Sequence, residues 1–114
     1  MPGTPFEAVN RRNGATTVID LEGDVNRSAQ AALDAVFEEA MTGASRLVLN
    51  FTAVDYINST GIALIVGLLA KAKAAGLPLS AFGLSDHYRE IFSITRLSDF
   101  LTVHRDEQEA MSAT

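Results

Sequence analysis

Arg46-Leu-Val-Leu-Asn-Phe-Thr-Ala-Val-Asp-Tyr-Ile-Asn-Ser-Thr-Gly-Ile-Ala-Leu-Ile-Val-Gly-Leu-Leu-Ala-Lys-Ala-Lys-Ala-Ala-Gly76 joins a strand-like run to a helix-like one. Leu47, Val48, Leu49 and Phe51 suit a strand at 46–51, and a polar turn leads to Ile62, after which apolar residues are too continuous to alternate. Lys71 and Lys73 enter only in the last turns, where cations meet the negative end of a helix dipole. Gly76 stops the helix, with Pro78 beyond it. Asn58 or Ser59 is suited to be the N-cap, since a short side-chain oxygen accepts a hydrogen bond from an orphan N–H of the first turn. The junction Asn58-Ser59-Thr60-Gly61 therefore places a serine hydroxyl at a helix start.

A phosphate on Ser59 would face unpaired backbone N–H groups and the positive end of the dipole, so the fold should tolerate a charge of about −1.5 to −2 there. A partner surface packed on the same spot would not. The plainer reading is that Ser59 and Thr60 serve only the cap, a position that selects such residues strongly.

The 114 residues are 47% hydrophobic and 20% charged, enough apolar material for one core and one domain spanning 1–114. The formal charge of −5 and the absence of a basic cluster argue against nucleic-acid binding. Without cysteine there is no disulfide, thiolate nucleophile or Cys-based zinc site. The N-terminal Met1 to Phe6 lacks the basic start and apolar core of a signal peptide. The apolar run Ile62–Ala70 is about half of the roughly 20 residues a bilayer requires. A cytoplasmic protein that does not insert into membranes is expected.

In chain order, 5–12 reads as an edge strand and Asn13-Gly14 as a tight hairpin turn, followed by a β-branched run at 15–22. Gly23 and Asp24 are expected to turn the chain into a helix capped by Asn26 or Ser28 and running to Met41, with Ala29, Ala32, Leu33, Val36, Phe37 and Ala40 on one stripe. Asp34, Glu38 and Glu39 form its solvated face. After the central unit, 77–82 reads as a buried strand parallel to 46–51. Ser85-Asp86 caps a helix from His87 to Thr95 carrying Tyr88, Ile91, Phe92 and Ile94. A turn at 97–100 precedes a strand at 101–104, and Asp106 opens a short helix fraying over 112–114. This order is α/β, a mixed sheet of about five strands with four helices. Asp24, Asp55 and Ser59 should gather at the carboxyl ends of its strands.

No catalytic constellation stands out. Ser59 with His87 or His104 lacks the first glycine of a Gly-x-Ser-x-Gly elbow, and Gly61 to Gly67 lacks the Gly-Lys-Ser/Thr ending of a phosphate loop. No metal-ligand cluster is visible, and neither a metal nor a cofactor is expected.

The order strand, Val54-Asp55-Tyr56-Ile57, Asn58-Ser59-Thr60-Gly61-Ile62, apolar helix resembles the signature of STAS domains, specifically bacterial anti-sigma factor antagonists. In that family the turn commonly reads Asp-Ser-Ser/Thr-Gly, and its first serine is phosphorylated by a partner kinase. Leu21-Glu22-Gly23-Asp24-Val25-Asn26 resembles a second family element at the end of the second strand. Asn58 and Asn26 stand where the family usually has aspartate, which removes charge and keeps capping capacity. The resemblance implies a STAS-like fold and a non-enzymatic partner-switching module. Ser59, with Thr60 as alternative, would be the phosphorylation site. The contact surface would comprise Asp24, Asn26, Asp55, Tyr56, Asn58, Ser59, Thr60, Gly61 and Ile62. Its partners would be an anti-sigma factor serine kinase and a serine phosphatase. The competing reading is a STAS-type accessory subunit of a transporter or lipid-trafficking complex, without a phosphorylation switch.

Overall fold

The computed structural model describes residues 3–112. Five strands form one sheet in the order β1-β2-β3-β4-β5: β1 (Glu7–Asn13), β2 (Thr16–Val25), β3 (Arg46–Ile57), β4 (Leu79–Phe82) and β5 (Thr102–His104). β1 is antiparallel to β2 through the Gly14 turn, and every later neighbour is parallel. The helices are α1 (Gln30–Met41), preceded by a 3-10 turn at Arg27–Ala29, then α2 (Ser59–Ala74), α3 (Asp86–Ile94) and α4 (Glu107–Ser112). The mixed five-stranded sheet with four helices is the expected architecture. The expected fraying over 112–114 lies partly outside the described residues, α4 including Ser112, and the reading of Met1 and Pro2 lies wholly outside them.

Successive strand residues point to opposite faces of the sheet. Ile19, Leu21, Leu47, Leu49 and Ala81 face one way and pack with Leu33 and Phe37 of α1, Ile65 and Leu68 of α2, and Phe92 of α3. Phe51 meets Phe92 edge-on with ring centroids 5.8 Å apart. Val18, Val48 and Phe82 face the other way, where α4 supplies Ala110. Arg11 ties β1 to that cover, bonding Asp20 at 2.5 Å and Glu107 at 2.8 Å.

Three local expectations are corrected. β2 continues through Gly23 and Asp24 to Val25 instead of turning there, and β3 continues through the segment expected to be a polar turn as far as Ile57. The two extensions pair with each other, Gly23 with Val54, Asp24 with Tyr56 and Val25 with Ile57, across register shifts that absorb the irregular pattern. Gly23 has φ +85°, and a Cβ there would lie 2.1 Å from the Pro5 carbonyl oxygen. The glycine marks a close crossing of two backbones, not a turn. On the apolar stripes, Ala32 and Ile94 are exposed, the latter by 72%.

Candidate functional site

The extended β3 delivers the junction directly to α2. Asn58 caps the helix: its Oδ1 accepts from the Gly61 N–H at 2.8 Å, and its carbonyl accepts from the Ile62 N–H at 2.9 Å. Asn58 N–H donates in turn to the Val25 carbonyl at the end of β2, 3.3 Å away. Of the two cap candidates in the sequence, the helix uses Asn58, and Ser59 becomes its first residue. Because the cap is already supplied, the Ser59 hydroxyl makes no hydrogen bond among the described residues, and the residue is exposed. The N–H groups of Ser59 and Thr60 point out of the helix start, and helix geometry offers them no carbonyl four residues back.

Gly61 is buried against the neighbouring strand end: a Cβ there would lie 2.0 Å from the Val25 carbonyl oxygen and 3.0 Å from Ile57 Cγ2. Only glycine lets the helix start this close to β2. On the other side Tyr88 of α3 reaches over, its hydroxyl oxygen accepting from the Ile57 N–H at 2.8 Å. That contact fixes the last residue of β3, immediately before the cap. Sequence periodicity placed Tyr88 on an apolar stripe and gave no sign of its polar role.

The remaining expected contact residues divide. Asp55 and Tyr56 are exposed, Asn26, Asn58, Thr60 and Ile62 are half-buried, and Gly61 is buried beneath them. Asn26 accepts from the Ser28 N–H at 3.0 Å and caps the 3-10 turn before α1. Asp24 departs from expectation: it is only 3% exposed, its Oδ2 accepts from the Thr4 N–H at 3.0 Å and its own N–H donates to the Thr4 carbonyl at 3.1 Å. These bonds make it a buried clasp on the N-terminal segment instead of an open contact, although it pairs with Tyr56 beside the junction. Val25 and Ile57 complete the arrangement, with Val25 opposite Ile57 in the register.

Neither histidine hydrogen-bonds Ser59: His87 is exposed and stacks edge-on against Tyr88, and buried His104 lies beside Glu109 at 3.6 Å. Among the described residues there is no group of three side chains suited to hold a metal ion, and no helix is long and apolar enough to cross a membrane. The site is a surface that presents the Ser59 hydroxyl, not a cleft with converging acid and base groups.

A family model described as Mlab, STAS domain, matches residues 8–103, covering the sheet from β1 to β5 and the whole junction. The chain belongs to the STAS domain family. An anti-sigma-B factor antagonist of Listeria monocytogenes is 36% identical over 63 residues, 55% of either chain, so the match spans about half the length of this curated relative. A solved anti-sigma factor antagonist from Mycobacterium paratuberculosis superimposes with a TM-score of 0.77 at 17% identity, covering 95% of this chain and 92% of that one. The phosphorylated form of SpoIIAA, a Bacillus cell fate determinant, superimposes with a TM-score of 0.69 at 21% identity, covering 94% and 96%. At these identities the superpositions establish the STAS fold, with its mixed sheet and helices arranged as here.

Proposed function

We propose that the protein is an anti-sigma factor antagonist: a non-catalytic, cytoplasmic binding module, one domain over residues 1–114, whose unmodified form binds an anti-sigma factor serine kinase and so frees a sigma factor. The observation that carries this reading is the Ser59 hydroxyl, exposed on the first residue of α2 while Asn58 does the capping. A phosphate there gains the orphan N–H groups of Ser59 and Thr60 and the positive end of the α2 dipole, so the fold keeps its stability. The same phosphate puts charge and bulk into a contact built on Tyr56, Asn58, Thr60 and Ile62. Losing about 3–4 kcal/mol weakens a complex several hundredfold, which one unmatched charge in an interface supplies. A serine phosphatase restores the unmodified state. The names of the curated relative and the solved neighbours support the same reading.

The test is incubation with candidate kinase anti-sigma factors and ATP, followed by intact-mass measurement of wild type and Ser59→Ala. One added phosphate on wild type and none on Ser59→Ala is the expected result. Phosphate that persists on Ser59→Ala relocates the site, with Thr60 the first candidate.

A second reading has one observation in its favour. Asn58 carries no charge beside the serine, where the resembling family usually has aspartate, which suits a STAS-type accessory subunit of a transporter or lipid-trafficking complex that uses the junction only as a contact surface. No phosphate transfer from any kinase partner, with stable capture of a transport-complex subunit, is the outcome that favours it.

A further inference from the structure

On the helical face of the sheet, α2 and the segment that follows α3 do not close against each other, and a groove of about 720 Å³ opens between them. Its walls include Val66 and Leu69 of α2, Leu77 before β4, and Leu97 and Phe100 after α3. Phe100 is 75% exposed and Val66 49%, so these two walls are open to solvent, whereas Leu97 belongs to the core beneath them. The size lies within the range of about 300–1,000 Å³ typical of small-molecule sites.

The charges at the rim restrict that occupant. The chain holds 14 acidic and nine basic residues, yet the residues lining the groove include two cations, Lys73 and Arg96, and no acid. Arg96 is partly satisfied by Asp99 at 2.8 Å. Thr95 donates its hydroxyl to the Ile91 carbonyl at 2.8 Å. Lys73 makes no ion pair among the described residues, whereas Lys71, two residues earlier, turns to Asp34 at 3.4 Å on α1. Lys73 sits in the last turn of α2, the end of that helix remote from Ser59, and Arg96 just beyond α3. An apolar trough with an unpaired ammonium at one end matches a molecule with a hydrocarbon body and a single anionic head.

We infer that the groove between α2 and the segment after α3 is a binding site for a free single-chain acyl carboxylate, its chain along Val66, Leu69 and Phe100 and its carboxylate at Lys73. The test is titration of the full-length protein with dodecanoate below its micellar concentration, followed by calorimetry, with dodecanol and dodecylammonium in parallel. Saturable 1:1 binding of dodecanoate is expected, tighter than that of either analogue. Lys73→Glu should weaken dodecanoate by about fivefold or more and leave dodecanol unchanged, the scale of an exposed ion pair. Ala70→Trp, on an exposed lining position, should abolish binding while thermal unfolding shows the fold intact.

No saturable binding of dodecanoate, binding indifferent to Ala70→Trp, or equal affinity for the three head groups overturns the inference. Capture by phosphatidylglycerol vesicles without binding of monomeric dodecanoate would likewise overturn it, placing a membrane surface there instead.

Discussion

The α-carbon of Gly61 faces the carbonyl oxygen of Val25 so closely that a methyl group at residue 61 would stand 2.0 Å from it. The obstacle is backbone, held in the register between β2 and β3, and cannot swing away as a side chain could. Gly61→Ala must therefore push the start of α2 outward, breaking the Asn58 contact to Val25. We expect a loss of roughly 1–3 kcal/mol, the usual cost of overpacking a tight site. Thermal or urea denaturation measures it, and an unchanged midpoint would contradict the close approach.

Asn58 gives the second prediction. Asn58→Ala removes the acceptor for the Gly61 N–H and should cost about 1 kcal/mol. Asn58→Asp keeps the acceptor and adds a negative charge at the helix start, so its stability should equal or exceed wild type by a few tenths of a kcal/mol, a scale of about 0.3–1 kcal/mol for such charges. Side-by-side denaturation curves check the ranking.

Ser59→Asp should leave stability within about 1 kcal/mol of wild type, since an acid at the first helical position meets a favourable dipole. Partner capture should fall steeply at the same time. Unfolding of this variant would show that the hydroxyl serves packing rather than recognition.

Tyr88→Phe removes the acceptor for the Ile57 N–H without changing the ring. A half-buried amide left unpaired costs about 1–3 kcal/mol, and amide exchange at Ile57 and Asn58 should quicken more than in the rest of β3. A uniform acceleration across the strand would argue that Tyr88 has no local hold on the junction.

The hydrogen bond from the Arg11 guanidinium holds the Asp20 carboxyl below the usual carboxylate range, aided by Asn50 and opposed by partial burial. A carboxyl depressed in the folded state stabilises fully above its unfolded pKa of about 3.9, and that contribution fades as pH falls through the lower folded value. Asp20→Asn should thus cost up to about 1 kcal/mol at neutral pH, the range for a solvent-exposed pair. The gap between wild type and variant should narrow on acidification below about pH 4, as followed by thermal melts across pH.

The order of strands and helices was legible because periodicity and caps are local: Asn13-Gly14, Ser85 and Gly76 punctuate the chain where the structure does. The overrun of β2 and β3 was not. Val54-Asp55-Tyr56-Ile57 mixes polar and apolar residues as a turn would, and becomes strand only because residues 22–25 lie alongside it. Gly23 misled for a related reason, its positive φ serving a crossing with Pro5, far off in sequence terms from any turn. At the site, the serine and its helix could be read from the motif. The burial of Asp24, the hold of Tyr88 and the groove beside Phe100 arise from residues brought together across the sheet, which no local pattern encodes.

α4 is only six residues long, yet with Ala110 it shields Val18, Val48 and Phe82, anchored by the guanidinium of Arg11 through Glu107. The contact surface proposed around Ser59 and the apolar strand face under α4 thus lie on different sides of the molecule. Removing the carboxyl-terminal helix would leave the start of α2 untouched while making bare strand surface available for clumping, so aggregation and the proposed partner binding can be tuned apart.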